Sequence, residues 1–306
     1  MIVFENAPSF WSLWTTLQGS IVPRIVKRVV CIDALAVLVC VLYLSLGWSF
    51  LDMTITPFAI IGLVVGIFLS FRNTVSYNRF WEARTHWGSC LITCRSLARQ
   101  AIVFGANEPP EATQRRLYLL LAFAHALRHQ LRGTDPRADL ARFLDADTLA
   151  VVMASPHRPN QVLTFIGQAF YTLHSEQGLG APLMASVEGL INELSHILGS
   201  CERIRSTPIP FAYLLLLHRT VHVYCYLLPF GLVSTVGWMS PIVVSFMAYA
   251  FLGLDALGDE ISNPFADKPN ALALDSICRS IEISLLAQLG EPVPEPIGPD
   301  AHGKVM

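Results

Sequence analysis

Hydrophobic positions in this chain gather into a few long, uncharged runs. Met53 to Phe71 holds 19 residues without one charged side chain, then breaks into Arg72-Asn73 and the aromatic, basic segment Tyr77-Asn78-Arg79-Phe80-Trp81-Glu82-Ala83-Arg84. As a helix rising about 1.5 Å per residue, that run covers roughly 28 Å and matches the hydrocarbon core of a bilayer. Ala34 to Leu51 is another uncharged run of 18 residues, with Asp33 at its leading edge, where a helix dipole favours an anion. Thr220 to Leu254 contains no Asp, Glu, Lys or Arg over 35 residues. As one helix it would reach about 52 Å, too long for a single crossing, so it must fold back. The break is expected near Ser234-Thr235-Val236-Gly237, between Pro229 and Pro241. Four spans follow: Ala34–Leu51, Met53–Phe71, Ile209–Val233 and Trp238–Leu257.

Between the second and third spans the pattern changes to amphipathic helices separated by polar breaks. Tyr77 to Ile102, Gln114 to Gln130, Gln161 to His174 and Leu183 to Ile197 have helical periodicity, punctuated by Gly133-Thr134-Asp135-Pro136 and Ser155-Pro156-His157. Ala273 to Leu289 reads as one more amphipathic helix, and the Pro-rich stretch from Glu291 onward as a disordered tail. The expected class is therefore all-α: a polytopic membrane protein with four transmembrane helices and a large helical cytosolic region. Its divisions are a cytosolic arm at 1–28, transmembrane helices one and two at 29–72, the cytosolic helical region at 73–206, transmembrane helices three and four at 207–258, and a cytosolic loop, helix and tail at 259–306. No internal repeat is apparent.

Composition agrees with this reading. The mean hydropathy is +0.49, and charged residues make up 14% of the chain, against about 25% in a typical soluble domain. A net charge of −2 argues against a nucleic-acid partner. The seven cysteines are scattered, several within apolar runs, and read as free thiols. In the opening region the basic cluster Arg24, Lys27, Arg28 follows the apolar residues, the reverse of a secretory signal, so no cleavable leader is expected. Positive charges flank the outer ends of the first two spans (Arg24, Lys27, Arg28; Arg72, Arg79, Arg84), while the turns at Asp52 and Ser234 carry no Lys or Arg. Both termini are thus expected in the cytoplasm, in a multi-pass protein of the cell inner membrane.

The second span has two distinct faces. Gly62, Gly66 and Ser70 recur at i, i+4, i+8 and form a small-residue stripe that lets a neighbouring backbone come close. Leu63, Ile67 and Phe71, offset by one residue, line up three large apolar side chains. Such a row meets lipid or other helices, or, if several copies of the helix surround an axis, forms a hydrophobic pore constriction that closes by dewetting. Spacing alone leaves both readings open.

Other clusters favour structural roles. His86, Cys90 and Cys94 share a helix face, but three ligands spread along one straight helix span too far to share an ion, and packing is the expected role. His125 and His129, at i, i+4, read as surface or core residues. Arg219 with His218 lies at the membrane depth of the third span, where an ionisable residue contacts a permeating ion, sits near an interface, or pairs with an acid such as Asp33 or Asp255; structural pairing is the expected role. Asp255, Asp259 and Glu260 end the fourth span in a short acidic cluster that binds a cation through carboxylate oxygens or marks the water boundary, the second being the expected role. No nucleophile elbow, phosphate loop or zinc-protease helix appears, so neither catalytic residues, a metal site nor a cofactor is expected.

Several motifs are less generic. Gly66-Ile67-Phe68-Leu69-Ser70-Phe71-Arg72-Asn73 with Tyr77-Asn78-Arg79-Phe80-Trp81-Glu82-Ala83-Arg84 resembles the bestrophin family, in particular its bacterial branch. So do Pro208-Ile209-Pro210-Phe211-Ala212-Tyr213 with His218-Arg219-Thr220, Gly258-Asp259-Glu260-Ile261 with Asn263-Pro264-Phe265, and Leu274-Asp275 ahead of Cys278-Arg279. The resemblance covers the chain from Ile21 to Leu289. It implies a homopentameric ion channel with one pore on the fivefold axis, Leu63, Ile67 and Phe71 at its neck, and a second cytosolic narrowing near Cys201 to Thr207, with Ile204 as the ring residue. The dense acidic calcium clasp of animal members is reduced here to Ala266-Asp267-Lys268-Pro269-Asn270, too few hard oxygen ligands for calcium activation through that clasp. Apolar necks discriminate charge weakly. The implied partners are permeating monovalent ions and the lipid bilayer, with chloride permeation favoured on family grounds and a sodium-conducting channel or a non-conducting scaffold as alternatives.

Overall fold

The computed structural model describes residues 19–49 and 53–299. Most of the expected N-terminal arm, the turn at Asp52 and the end of the tail lie outside the described residues. Ten α-helices are found there: α1 Val22–Cys40, α2 Ile55–Phe104, α3 Pro110–Arg132, α4 Arg137–Leu140, α5 Ala146–Ala154, α6 Arg158–Ser175, α7 Ala181–Ser206, α8 Phe211–Val236, α9 Ser240–Ile261 and α10 Leu274–Leu289. No β-strand occurs among the described residues. The chain divides into two compact units, one of residues up to Phe80 with Pro208–Asn263, the other of Trp81–Thr207 with the chain from Pro264 onward.

In the first unit, helix boundaries and charge boundaries part company. α1 begins at Val22, with a proline in its first turn, so Arg24, Lys27, Arg28 and Asp33 lie inside the helix rather than ahead of it. It ends in a π-turn over Val41–Ser45, well short of Leu51. α2 runs for 50 residues and passes straight through Arg72-Asn73, where the uncharged run stops. Both departures have one cause: a charge changes which surroundings a side chain prefers, whereas only proline, glycine or a cap stops the backbone. At Gly237 the chain does stop. Its φ of +54° lies in the left-handed region that favours glycine, and its N–H donates to the Val233 carbonyl. A short 3-10 turn then leads into α9, with Pro241 in its first turn. Pro229 lies within α8.

The core of this unit comes from α1, the first part of α2, α8 and α9. Ile32, Ala36, Leu69, Val221, Cys225, Val244 and Ala248 are all fully buried in it. Glycines let the helices approach closely. A Cβ at Gly62 would come within 2.5 Å of the Tyr224 hydroxyl, and one at Gly231 would overlap the Phe58 ring. Tyr224 in turn packs edge-on to Phe251, with ring centroids 5.3 Å apart.

The second unit gathers the later part of α2 with α3 to α7 and α10 around Trp87, Phe123 and Phe170, each 0% exposed. Its longer helices coincide in kind with those expected from periodicity: α3 and α6 extend a few residues beyond the amphipathic window, α7 runs on to Ser206, and α10 matches its window to within one residue. α3 closes on Gly133 at φ +71°, in the left-handed cap that glycine favours. α4 and α5 escape the periodic pattern because they are 4 and 9 residues long. Local chemistry starts α5 instead: the Asp145 carboxylate accepts from the Thr148 N–H at 2.9 Å.

Polar groups tie α3, α4 and α10 together. His125 Nε2 donates to Glu282 at 2.6 Å, and Arg142 reaches the same oxygen at 3.0 Å. Asp139 accepts from Arg128 and from His129, and Arg132 pairs with Asp275 at 2.5 Å. Burial pushes the Glu282 carboxyl up, but the hydrogen bonds and charges of His125 and Arg142 outweigh it and hold the group down at about 2. His125 and His129 are thus structural, as their sequence setting implied.

Candidate functional site

The row Leu63, Ile67, Phe71 is 67%, 47% and 62% exposed, whereas Val65, Leu69 and Arg72 on the same helix are 2%, 0% and 2%. A helix period of 3.6 makes this division unavoidable once one face is packed. α2 therefore presents one face completed within the protomer and another of large apolar side chains left uncovered. Ile60, Val64, Phe68 and Val75 extend the uncovered surface, which is far larger than isolated exposed residues would make.

Within the small-residue stripe, Gly62 faces Tyr224 of α8, and a Cβ at Gly66 would lie 3.9 Å from Phe251 of α9. Ser70 is exposed in the single chain. With Gly66, Asn73, Thr74 and Tyr77 it lines a groove against Leu254, Leu257 and Ile261. At 3% exposure Ile204 is buried in the single chain.

Beside the row lies a charged cluster that the sequence suggested only in outline. Arg72 follows Phe71 directly, and its guanidinium donates to Asp255 and to Asp259. His218 Nδ1 lies 2.7 Å from the other Asp255 oxygen. Arg24 pairs with Glu260 at 2.9 Å, and Arg79 Nε donates to the Ser262 carbonyl at 3.3 Å. Asp255 and Glu260 are buried, at 2% and 6%, so these acids do more than mark a water boundary. Arg72 supplies the opposite charge without which a buried carboxylate is costly. The expected partner of Arg219 is taken: Asp255 is engaged by Arg72 and His218, and Asp33 accepts from the Ser245 hydroxyl at 3.1 Å. Gly258 makes room for this arrangement, since a Cβ there would lie 2.7 Å from Asn73 Oδ1.

In the second unit, Cys90 and Cys94 are both 0% exposed, and all seven cysteines are free thiols. The hydrogen bond with Cys94, then burial, push the Cys90 thiol well up, and burial does the same to Cys201 and Cys278. Thiols so disfavoured as thiolates serve as packing groups. His86 packs edge-on against His196, with ring centroids 5.8 Å apart.

Two stretches, within Ile55–Phe104 and Phe211–Ile261, are long and apolar enough to cross a membrane. Comparison with known proteins adds to this geometry. The family model described as Bacterial/Fungal Bestrophin protein matches residues 1–287. A voltage-dependent anion channel-forming protein of Ralstonia nicotianae is 39% identical over 279 residues, 90% of each chain. The voltage-dependent anion channel-forming protein YneE of Escherichia coli is 38% identical over 290 residues, 93% of each. Among solved structures, a bacterial bestrophin homolog from Klebsiella pneumoniae superposes with a TM-score of 0.82 at 38% identity, covering 88% of this chain and 99% of that one.

Proposed function

Since the chain belongs to the bacterial and fungal bestrophin family, we propose that it forms a homopentameric channel in the cell inner membrane that conducts small monovalent anions, chloride foremost. In this reading α1, the first part of α2, α8 and α9 cross the bilayer, and both termini are cytoplasmic. The clustering of Arg24, Lys27, Arg28 and of Arg72, Arg79, Arg84 supports that orientation. The names of the Ralstonia and Escherichia relatives support an anion as the permeant ion.

One observation carries the pore assignment: Leu63, Ile67 and Phe71 are the uncovered row on a helix whose other face is finished. Five such rows around an axis make three apolar rings. A passage of that kind passes ions when wide or wetted and shuts when water leaves it. Gly62 and Gly66 hold the helix against α8 and α9, so the row is presented by a rigid support rather than a loop. Arg72, immediately after the last ring, is locked by Asp255 and Asp259 and sets the register at which the row ends. For a second, cytosolic narrowing near Cys201 to Thr207, Ile204 is the proposed ring residue.

Reconstitution in a planar bilayer under a sodium chloride gradient tests this function. Current reversing at the chloride equilibrium potential is expected. Reversal at the sodium potential would replace the anion reading by the cation one, and absence of current would leave a scaffold.

A further inference from the structure

Two histidines that the channel reading does not use stand one helical turn apart on α8, at 218 and 222. Their rings are 4.2 Å apart between centroids. A ring nitrogen of each and a carboxylate oxygen of Asp255, from α9, all lie within 4.8 Å of one another. The proton positions follow from the partners. His222 Nδ1 lies 2.7 Å from the His218 backbone carbonyl, which can only accept, so Nδ1 carries the hydrogen. His218 Nδ1 faces the Asp255 carboxylate at 2.7 Å, and there too the nitrogen must donate. Both neutral rings therefore keep the lone pair on Nε2, and among the described residues neither Nε2 has a hydrogen-bond partner.

A histidine whose Nδ1–H is held by a carbonyl or a carboxylate while Nε2 is left open is the arrangement by which proteins orient imidazole toward a metal ion. The i, i+4 spacing puts both rings on one face of α8. Asp255 is 2% exposed and fixed on its other side by Arg72, so it cannot swing away. Of the charges nearby, Asp255 faces the rings, while the cations are Arg72, which pairs with Asp255 and Asp259, and Arg28. His218 is 41% exposed on its side chain, which leaves a path for an ion to enter.

We propose that His218 and His222 bind a divalent transition-metal ion of the zinc class through their Nε2 atoms, with Asp255 orienting His218 and offsetting the ion's charge. Imidazole nitrogen suits zinc, copper and nickel, whereas calcium and magnesium require oxygen ligands. Two protein ligands leave positions on the ion for water or a small anion.

The test uses the full-length, tag-free chain in detergent, titrated with zinc chloride in a calorimeter. One zinc ion per chain is expected for the wild type, with affinity falling at least about tenfold in His222→Gln and in Asp255→Asn. Copper(II) bound to the wild type reports the ligands directly, so the test does not depend on either variant folding: nitrogen hyperfine splitting from two imidazoles is expected in its electron paramagnetic resonance spectrum. Absence of saturable zinc binding, an unchanged affinity in folded His222→Gln, or a copper spectrum without nitrogen splitting would each overturn the proposal. None of these readouts involves ion current, so failure here leaves the channel reading untouched.

Discussion

Glu282→Gln is a sharp probe of how the second unit is held together. The wild-type carboxylate is 1% exposed and is met by His125 at 2.6 Å and Arg142 at 3.0 Å. Its protonation midpoint falls from 4.5 to about 2 on folding. At about 1.36 kcal/mol per unit, this difference is worth on the order of 3 kcal/mol at neutral pH. The sign follows from the depression: the stabilisation is complete above 4.5 and is lost as pH falls through about 2. Glutamine keeps the shape and removes the charge. Hydrogen exchange of the α10 amides, followed by mass spectrometry on the full chain and normalised to intrinsic rates, reads the effect. Protection should fall by a few hundredfold at pH 7, and the gap between wild type and variant should narrow to about tenfold at pH 3. Equal protection at pH 7, or a gap that widens on acidification, would refute the claim that this network clamps α10.

Replacing Leu63, Ile67 and Phe71 together by Ala should widen and hydrate the neck and raise single-channel conductance in a planar bilayer; unchanged currents would remove these residues from the pore. Gly231→Ala should lower the detergent melting temperature by an amount equivalent to about 1–3 kcal/mol, because the new methyl overlaps the Phe58 ring. Combining it with Phe58→Leu should restore much of the loss, and failure of that rescue would show that the strain lies elsewhere.

Much of the architecture was legible in the residues because membrane helices and amphipathic helices announce themselves by composition and period. The return between α8 and α9 was placed within a few residues, since a glycine is needed where the backbone turns left-handed. Helix ends away from glycine and proline were less legible. α1 starts ahead of its uncharged run and α2 runs past the end of its own, because charge patterning records the surroundings of side chains and backbone hydrogen bonding does not.

At the site, sequence alone determined that Leu63, Ile67 and Phe71 share a face, for helical period requires it. That the face is uncovered was decided only when α8 and α9 packed against the opposite side. Likewise Ile204 and Leu183 are both apolar residues on one helix, and only the folded chain makes one 3% and the other 47% exposed. Arg72, His218 and Asp255 are far apart in the chain and meet through helix packing. Periodicity is a local property written into consecutive residues, whereas exposure and pairing depend on which distant segments arrive, and that is a property of the assembled chain.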